Sequence, residues 1–311
     1  MGSKASNLQY PTDINQVTNP GTLATFAAAN TAGTLNSALI QPNRPFQDWG
    51  NLGGDNYIGI SRYNALQTAI NKHFSNGLLF SVNYVWSHFL DDQDSAGWGN
   101  RAGTQFWQIG NNPAANYGNS NFDIPNAFKG YASYDLPFGR GRSYLSGNRV
   151  EDAVVGGWRV SGTFIAQSGV PFTITTNGNN NSFSQCGNGC SWYPNVVGNP
   201  FSGVPAAPPA EIGYFNPAAY ASATPGTFGN EVRNSLRGPN LKVVNLSMAK
   251  DFHFGERVAL QIRGDFVNAL NHPSFNPPGN SLGGSNFGVL DNATGVAVAP
   301  RSGQLSARVT F

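Results

Sequence analysis

Charge is scarce in this chain. Lys and Arg together number 18 and Asp and Glu 16, so charged side chains are 11% of 311 residues, against about a quarter in ordinary soluble domains. So low a charge is unusual for a water-exposed surface. It suits a lipid-facing band backed by a polar, mostly uncharged side, and also a secreted sandwich or a fibre subunit. Long hydrophobic runs are missing too. Leu78 to Leu90 is interrupted by Ser81, Asn83, Ser87 and His88. No stretch approaches the roughly 18 apolar residues of a membrane helix. Helical membrane architecture is thereby excluded, but a β-barrel is not, because its signal is weak per strand. No basic block is present and the net charge is +2, which argues against nucleic acid as a partner. The opening Met1-Gly2-Ser3-Lys4-Ala5-Ser6 lacks the apolar core of a signal peptide, as in a mature chain or a piece of a longer one.

Cysteine is nearly absent. Cys186 and Cys190 stand alone in a Gly/Asn-rich segment, with no histidine nearby. Two cysteines cannot complete a four-ligand metal site. The reading preferred here is a small disulfide pinning an exposed loop in an oxidising compartment. A redox-active pair is the weaker reading, since no helix N-terminus is at hand to lower a thiol pKa.

Alternation with a period of two is what the chain does have. In the last segment Leu305, Ala307, Val309 and Phe311 alternate with Gln304, Ser306, Arg308 and Thr310, which places one set on each face of a strand. A final strand closing on an aromatic is the usual finish of an outer-membrane barrel. Leu78, Phe80, Val82, Tyr84 and Trp86 share a face over about ten residues, the span of a tilted membrane strand. Asn76-Gly77 just before them supplies a tight hairpin. Trp158, Val160, Gly162, Phe164 and Ala166 repeat the pattern. So does the hairpin of Val244, Leu246, Met248, Phe252 and Phe254 with Val258, Leu260, Ile262, Gly264 and Phe266. Its polar side carries Gln261, Arg263 and Asp265.

The expected fold is all-β: an antiparallel transmembrane β-barrel, or the C-terminal portion of a larger one, with long external loops. Residues 1–56 read as an irregular extension or loop, in which Leu23 to Ala29 makes one or two helical turns at most. Residues 57–311 read as the barrel segment, with long loops at about 91–121, 177–239 and 272–300. Roughly seven or eight strands joined alternately by short turns and long loops match a barrel better than a sandwich.

Five segments carry a family likeness. They are Tyr134 to Gly141 (YDLPFGRG), Gly156 to Gly162 (GGWRVSG), Gln167 to Phe172 (QSGVPF), Arg233 to Pro239 (RNSLRGP) and Phe266 to Phe275 (FVNALNHPSF). With the Phe311 terminus, this ordered set resembles the C-terminal barrel region of TonB-dependent outer-membrane receptors. The likeness is to the Oar-like subgroup of Acidobacteria, which carry a carboxypeptidase-regulatory-like domain. It spans residues 57–311 and implies a bacterial outer-membrane location and uptake or export of a bulky ligand. It also implies as partners outer-membrane lipid, a plug domain and, through it, TonB. The chain departs from that plan in showing no plug, no TonB-contact segment and too few strands. It therefore resembles the last third of a receptor.

Catalysis leaves no trace in the sequence. Ser168-Gly169 and Ser302-Gly303 lack a nucleophile elbow, and His88 near Asp91 and Asp92 has no nucleophile beside it. The expectation is a chain that is not an enzyme and carries no cofactor. Asp91, Asp92 and Asp94 form the densest acidic cluster and are weak calcium candidates, but they do not follow the EF-hand spacing. Trp98, Trp107, Trp192 and Tyr193 lie in Asn/Gly-rich loops, where aromatic faces beside amides suit sugars or peptides. The competing reading is an aromatic girdle, or rings that pack the loops down. Two further functions compete with transport. One is a self-assembling structural or extracellular β protein; the other is a soluble β-sandwich binding module or hydrolase.

Overall fold

The structure, a computed structural model, describes every residue except 94–107, 110–111, 140–141, 146–148, 177–190, 210, 255–257 and 292–294. Its frame is a meander of eight long strands. These are β1 Gly2–Asp13, β2 Gly53–Ser75, β3 Leu78–Asp91 and β4 Asn126–Asp135. They continue as β5 Trp158–Gln167, β6 Leu241–Phe254, β7 Val258–Val267 and β8 Ser302–Thr310. Each strand pairs antiparallel with the next, so order in space is order in the chain. Gly118–Asn119 adds a short piece beside β3.

The register aligns the alternation of every strand from β3 to β8. Leu78, Tyr134, Val160, Met248, Gly264 and Leu305 are successive partners in one row. In the adjacent row, Leu79, Ser133, Ser161, Ser247, Asp265 and Gln304 face the other way. A slip of one residue in any pair would mix the two sets. The sheet therefore has one apolar face and one largely polar face. The apolar face is not covered by protein: Leu66, Ile70 and Leu305 are 60%, 59% and 78% exposed. In water such a face would be a large uncovered hydrophobic patch, whereas in a bilayer it is the required surface.

Connections are sorted by end. Residues 14–52, 92–125, 168–240 and 268–301 all leave from one end of the sheet. The ends that join β2 to β3, β4 to β5 and β6 to β7 lie at the other. Asn76 at φ +52° and Gly77 at φ +79° give the left-handed pair of a two-residue hairpin, as read from the sequence.

The sheet stays open. Among the described residues β1 pairs with β2 alone and β8 with β7 alone, so no closed barrel forms. The fold is mostly β-stranded, in line with the β class expected, while ring closure is not achieved by these strands. Closing a sheet takes mutually consistent strand number, tilt and stagger, and here the two edge strands do not meet.

The first 56 residues differ from the irregular extension expected. Residues 2–13 form the edge strand β1, and residues 20–31 form a three-turn helix, α1 Pro20–Thr31. Gly2-Ser3-Lys4-Ala5 has no apolar alternation to betray it, because its place is set by pairing with Ser61 to Asn64. α1 is started by Asn19, whose side chain accepts from Thr22 N at 3.2 Å, and by Pro20 in the first turn. It buries only Leu23, Phe26 and Ala27, too few to show as a clear helical stripe. A short helix α2, Ser37–Ile40, follows.

Both packed cores lie in the loops. Val17, Leu23, Phe26, Ala27 and Ile40 form one, with Phe228 against it. Phe172, Ile174, Phe215, Tyr220, Leu236 and Phe287 centre the other. Phe215 meets Tyr220 and Phe287 edge-on, with centroids at 5.8 and 5.1 Å, a favoured aromatic geometry. The long loops are thus a packed layer over one end of the sheet. Two-residue bridges stitch it: 171–172 with 236–237, 195–196 with 220–221, and 212–213 with 289–290. The short strands Pro171–Phe172 and Thr175–Thr176 belong to this layer and not to the main sheet.

Candidate functional site

The segment Arg233-Asn234-Ser235-Leu236-Arg237 is the keystone of the loop layer. Arg233 is buried and ion-paired to Asp91 at the end of β3. Its guanidinium also donates to Asp91 O at 2.5 Å and to Asn116 O at 2.9 Å. Asn234, at φ +55°, takes a left-handed conformation that its amide side chain tolerates well. That side chain donates to Asn119 O at 2.7 Å and to Asn121 Oδ1 at 2.8 Å. It accepts from Thr173 Oγ1 at 3.0 Å. Arg237 pairs with the buried Asp123 and donates to Asp123 O at 3.0 Å. Asp123 in turn accepts from Phe89 N at 2.7 Å. Arg233, Asn234 and Arg237 therefore bind a second loop, the top of β3 and Thr173, and Leu236 pairs with Phe172. At Gly169 the chain passes so close to Gly238 O that any Cβ would overlap it, which accounts for the glycine in Ser168-Gly169-Val170-Pro171.

Amides continue the lock. Gln108 donates to Gly229 O at 2.9 Å and accepts from Gly229 N at 3.1 Å and Tyr193 N at 3.2 Å. Asn15 donates to Trp49 O at 2.9 Å and accepts from Phe46 N at 2.7 Å. Asn116 donates to the buried Tyr10 hydroxyl at 2.6 Å, tying the edge strand in. None of Tyr10, Asn15, Gln108, Asn116 and Asp123 was singled out by sequence. An Asn/Gln-rich linker looks the same whether its amides are solvated or locked; the segment 233–239 was visible only as part of the family likeness.

The residues picked from sequence fall in different places. Trp98, Trp107, Asp94, Cys186 and Cys190 lie outside the described residues. Trp192 is half-buried and stacks on Phe228, with centroids at 6.4 Å and planes 15° apart. Tyr193 is 2% exposed, so its ring is part of the packing and does not face solvent. Asp91 is taken up by Arg233. Asp92 accepts from Ile60 N at 3.0 Å through both carboxylate oxygens. Burial raises the Asp92 pKa, and the Ile60 N–H opposes that rise. The two carboxylates thus serve protein donors, and among the described residues no group of His, Cys, Asp or Glu is arranged to hold a metal ion.

Below the loop layer, the polar face offers hydroxyls, amides and paired charges. A hollow of about 450 Å³ is lined there by Tyr131, Ser133, Thr163, Asn245, Ser247 and Arg263, among others. Asn245 donates to Thr163 Oγ1 at 3.1 Å, and Arg263 Nε to Asp265 Oδ1 at 2.9 Å. Arg159 Nε donates to Asp135 Oδ1 at 2.6 Å across β4 and β5. Such a surface can hydrate and pass polar solutes, or hold them by many weak donors and acceptors. His88, beside Asp123 at 3.7 Å, has no serine, threonine or cysteine in bonding contact among the described residues.

A meander with a bare apolar face, a polar opposite face and long loops gathered at one end defines an outer-membrane β-barrel wall. The chain matches the outer membrane beta barrel domain family over residues 1–304 and belongs to that family. Its place is the bacterial outer membrane. No curated protein and no solved structure matches it.

Proposed function

We propose that this chain is the barrel segment of a TonB-dependent outer-membrane receptor, binding a bulky ligand through its external loop layer. The observation that carries the reading is the pair of open edges on an otherwise membrane-ready sheet. Unpaired strand edges are not tolerated in hydrocarbon, so β1 and β8 need further strands beside them. A larger receptor barrel, with its plug domain, supplies such strands. The ordered segments from Tyr134 to Phe275 that resemble Oar-like receptors support the same reading. In it the chain performs no catalysis of its own, and the loops make the first contact with ligand.

A second reading draws on the same edges: copies of the chain pair edge to edge and form a self-assembled β structure. One experiment separates the two. Outer membranes from the native source are extracted in detergent, and the species carrying this sequence is sized and its intact mass taken. A membrane species much heavier than 33.1 kDa and covalently continuous supports the receptor. A regular assembly of 33.1 kDa chains supports self-association and sinks the receptor reading.

A further inference from the structure

The apolar face of the sheet carries charge of one sign. From Arg62 on β2 to Val309 on β8, the register places Arg62, Lys72, Lys242 and Lys250 on that face and no Asp or Glu. Arg62 and Lys72 stand ten residues apart on β2, with Leu66 and Ile70 between them. Ten residues at about 3.3 Å each, on a strand tilted by about 40°, span about 25 Å of membrane, the height of an apolar band. Arg62 therefore marks the loop-side margin of the band and Lys72 the turn-side margin. Ser61, next to Arg62, is the last residue of β2 that pairs with β3 at the loop end.

The turn-side cations are engaged by the protein itself. Lys72 donates to Ser75 Oγ at 2.9 Å, and Lys250 donates to Gly156 O at 2.6 Å and Val154 O at 3.2 Å. The loop-side cations are not. Arg62, Lys242 and, on β1, Lys4 are exposed, and their side chains make no hydrogen bond or ion pair among the described residues. Lys4 lies directly opposite Arg62. Met1 and Ala65 exchange both backbone hydrogen bonds, so three steps along the ladder Lys4 and Arg62 form a pair without them. That is the closer kind of pair, with Cα atoms about 4.5 Å apart. Like charges directly opposite each other destabilise a strand pair. The carboxylates at this end of β3 do not relieve them: Asp91 and Asp92 are buried, the first taken by Arg233 and the second by Ile60 N.

We propose that Lys4 and Arg62 bind a phosphate on the headgroup of a lipid in the leaflet on the loop side. A phosphate between the two side chains cancels their repulsion, and the guanidinium fork matches two of its oxygens. The acyl chains of the same lipid lie against Leu66 and Ile70, exposed on the same face toward the middle of the band. A free anion meets the two charges but gains nothing from that apolar surface. An uncharged lipid covers the surface and leaves the two cations facing each other. Lys242 stands four strands away, about 19 Å at about 4.8 Å per strand, too far to share the phosphate. The site rests on the outer-membrane placement of the sheet and holds whether or not the chain belongs to a receptor.

The test is native mass spectrometry of the detergent-extracted protein, delipidated and then titrated with lipid A bearing its phosphates or with the same lipid enzymatically dephosphorylated. Inorganic phosphate in excess serves as competitor. The expected result is a preference of about tenfold or more for the phosphorylated lipid, the scale of a charge-assisted contact, that inorganic phosphate does not remove. Arg62→Gln should erase most of that preference. Lys4→Glu should erase it too, and it sets opposite charges face to face, which supports the strand pair, so this variant folds even if the arginine variant does not. Lys242→Gln should leave the preference in place. Equal retention of the two lipids by the unaltered protein, an unchanged preference in Lys4→Glu, or an equal loss in Lys242→Gln would overturn the proposal. Displacement of the lipid by inorganic phosphate would do the same, by showing a site for free anions.

Discussion

Replacing Arg233 with alanine leaves the Asp91 carboxylate buried without its cation, and strips Asn116 O of a donor. Breaking a buried pair from one side costs about 3–5 kcal/mol. Limited proteolysis of the loop layer in detergent should therefore become much faster, while the strands keep their circular dichroism. A loss below about 1 kcal/mol, the scale of exposed pairs, would show that the keystone role is wrong. Glu231 makes a pH prediction in the same layer. It is buried, and its Oε1 has no hydrogen-bond partner. Burial pushes its pKa up, opposed by bonds to Ser235 and to the Val232 backbone. A carboxyl whose folded pKa lies above its unfolded value favours the fold when protonated. That contribution is complete below about pH 4 and is lost as pH rises through the raised value. Protease resistance of the loops should fall across that window, and Glu231→Gln should flatten the dependence and add about 1 kcal/mol at neutral pH. An unchanged pH profile in the variant would show that Glu231 does not set it.

At the level of strands and turns, the two faces of β6 should answer differently to the same insult. Leu246 points to lipid and Ser247 to the polar side. Arginine at Leu246 should cost about 2–4 kcal/mol, and arginine at Ser247 far less. Folding yield in vesicles, read from the mobility of unheated samples in detergent gels, checks the pair; equal effects would contradict the assigned faces. The β2–β3 turn is a second case. A Cβ on Gly77 would sit 2.8 Å from Asp135 O, on a backbone already at φ +79°. Gly77→Ala should cost about 1–2 kcal/mol, and more if Asp135 cannot move, seen in the same assay as a lower folded fraction. This hairpin was legible because Asn-Gly and alternation coincide. β1 was not, because nothing in Gly2-Ser3-Lys4-Ala5 distinguishes an edge strand from a loop until β2 is beside it.

For the whole molecule, the open edges govern behaviour. If β1 and β8 are completed by other strands in the membrane, their outward amides should be protected from hydrogen exchange there. The same amides should exchange rapidly in an isolated 33.1 kDa chain held in detergent. Equal exchange in both states would mean that the edges stay bare in the membrane.

The sequence by itself determined the strands after β1, their two faces and the sorting of short turns from long loops. Those features rest on a period of two and on local turn chemistry, which act within a few residues. Only the tertiary structure decided that the long loops pack into a layer keyed by Arg233, Asn234 and Arg237. It alone turned Tyr193 inward and gave Asp91 and Asp92 to protein donors. Each of those outcomes depends on partners brought together from distant parts of the chain. No local pattern encodes which buried amide or charge will meet which.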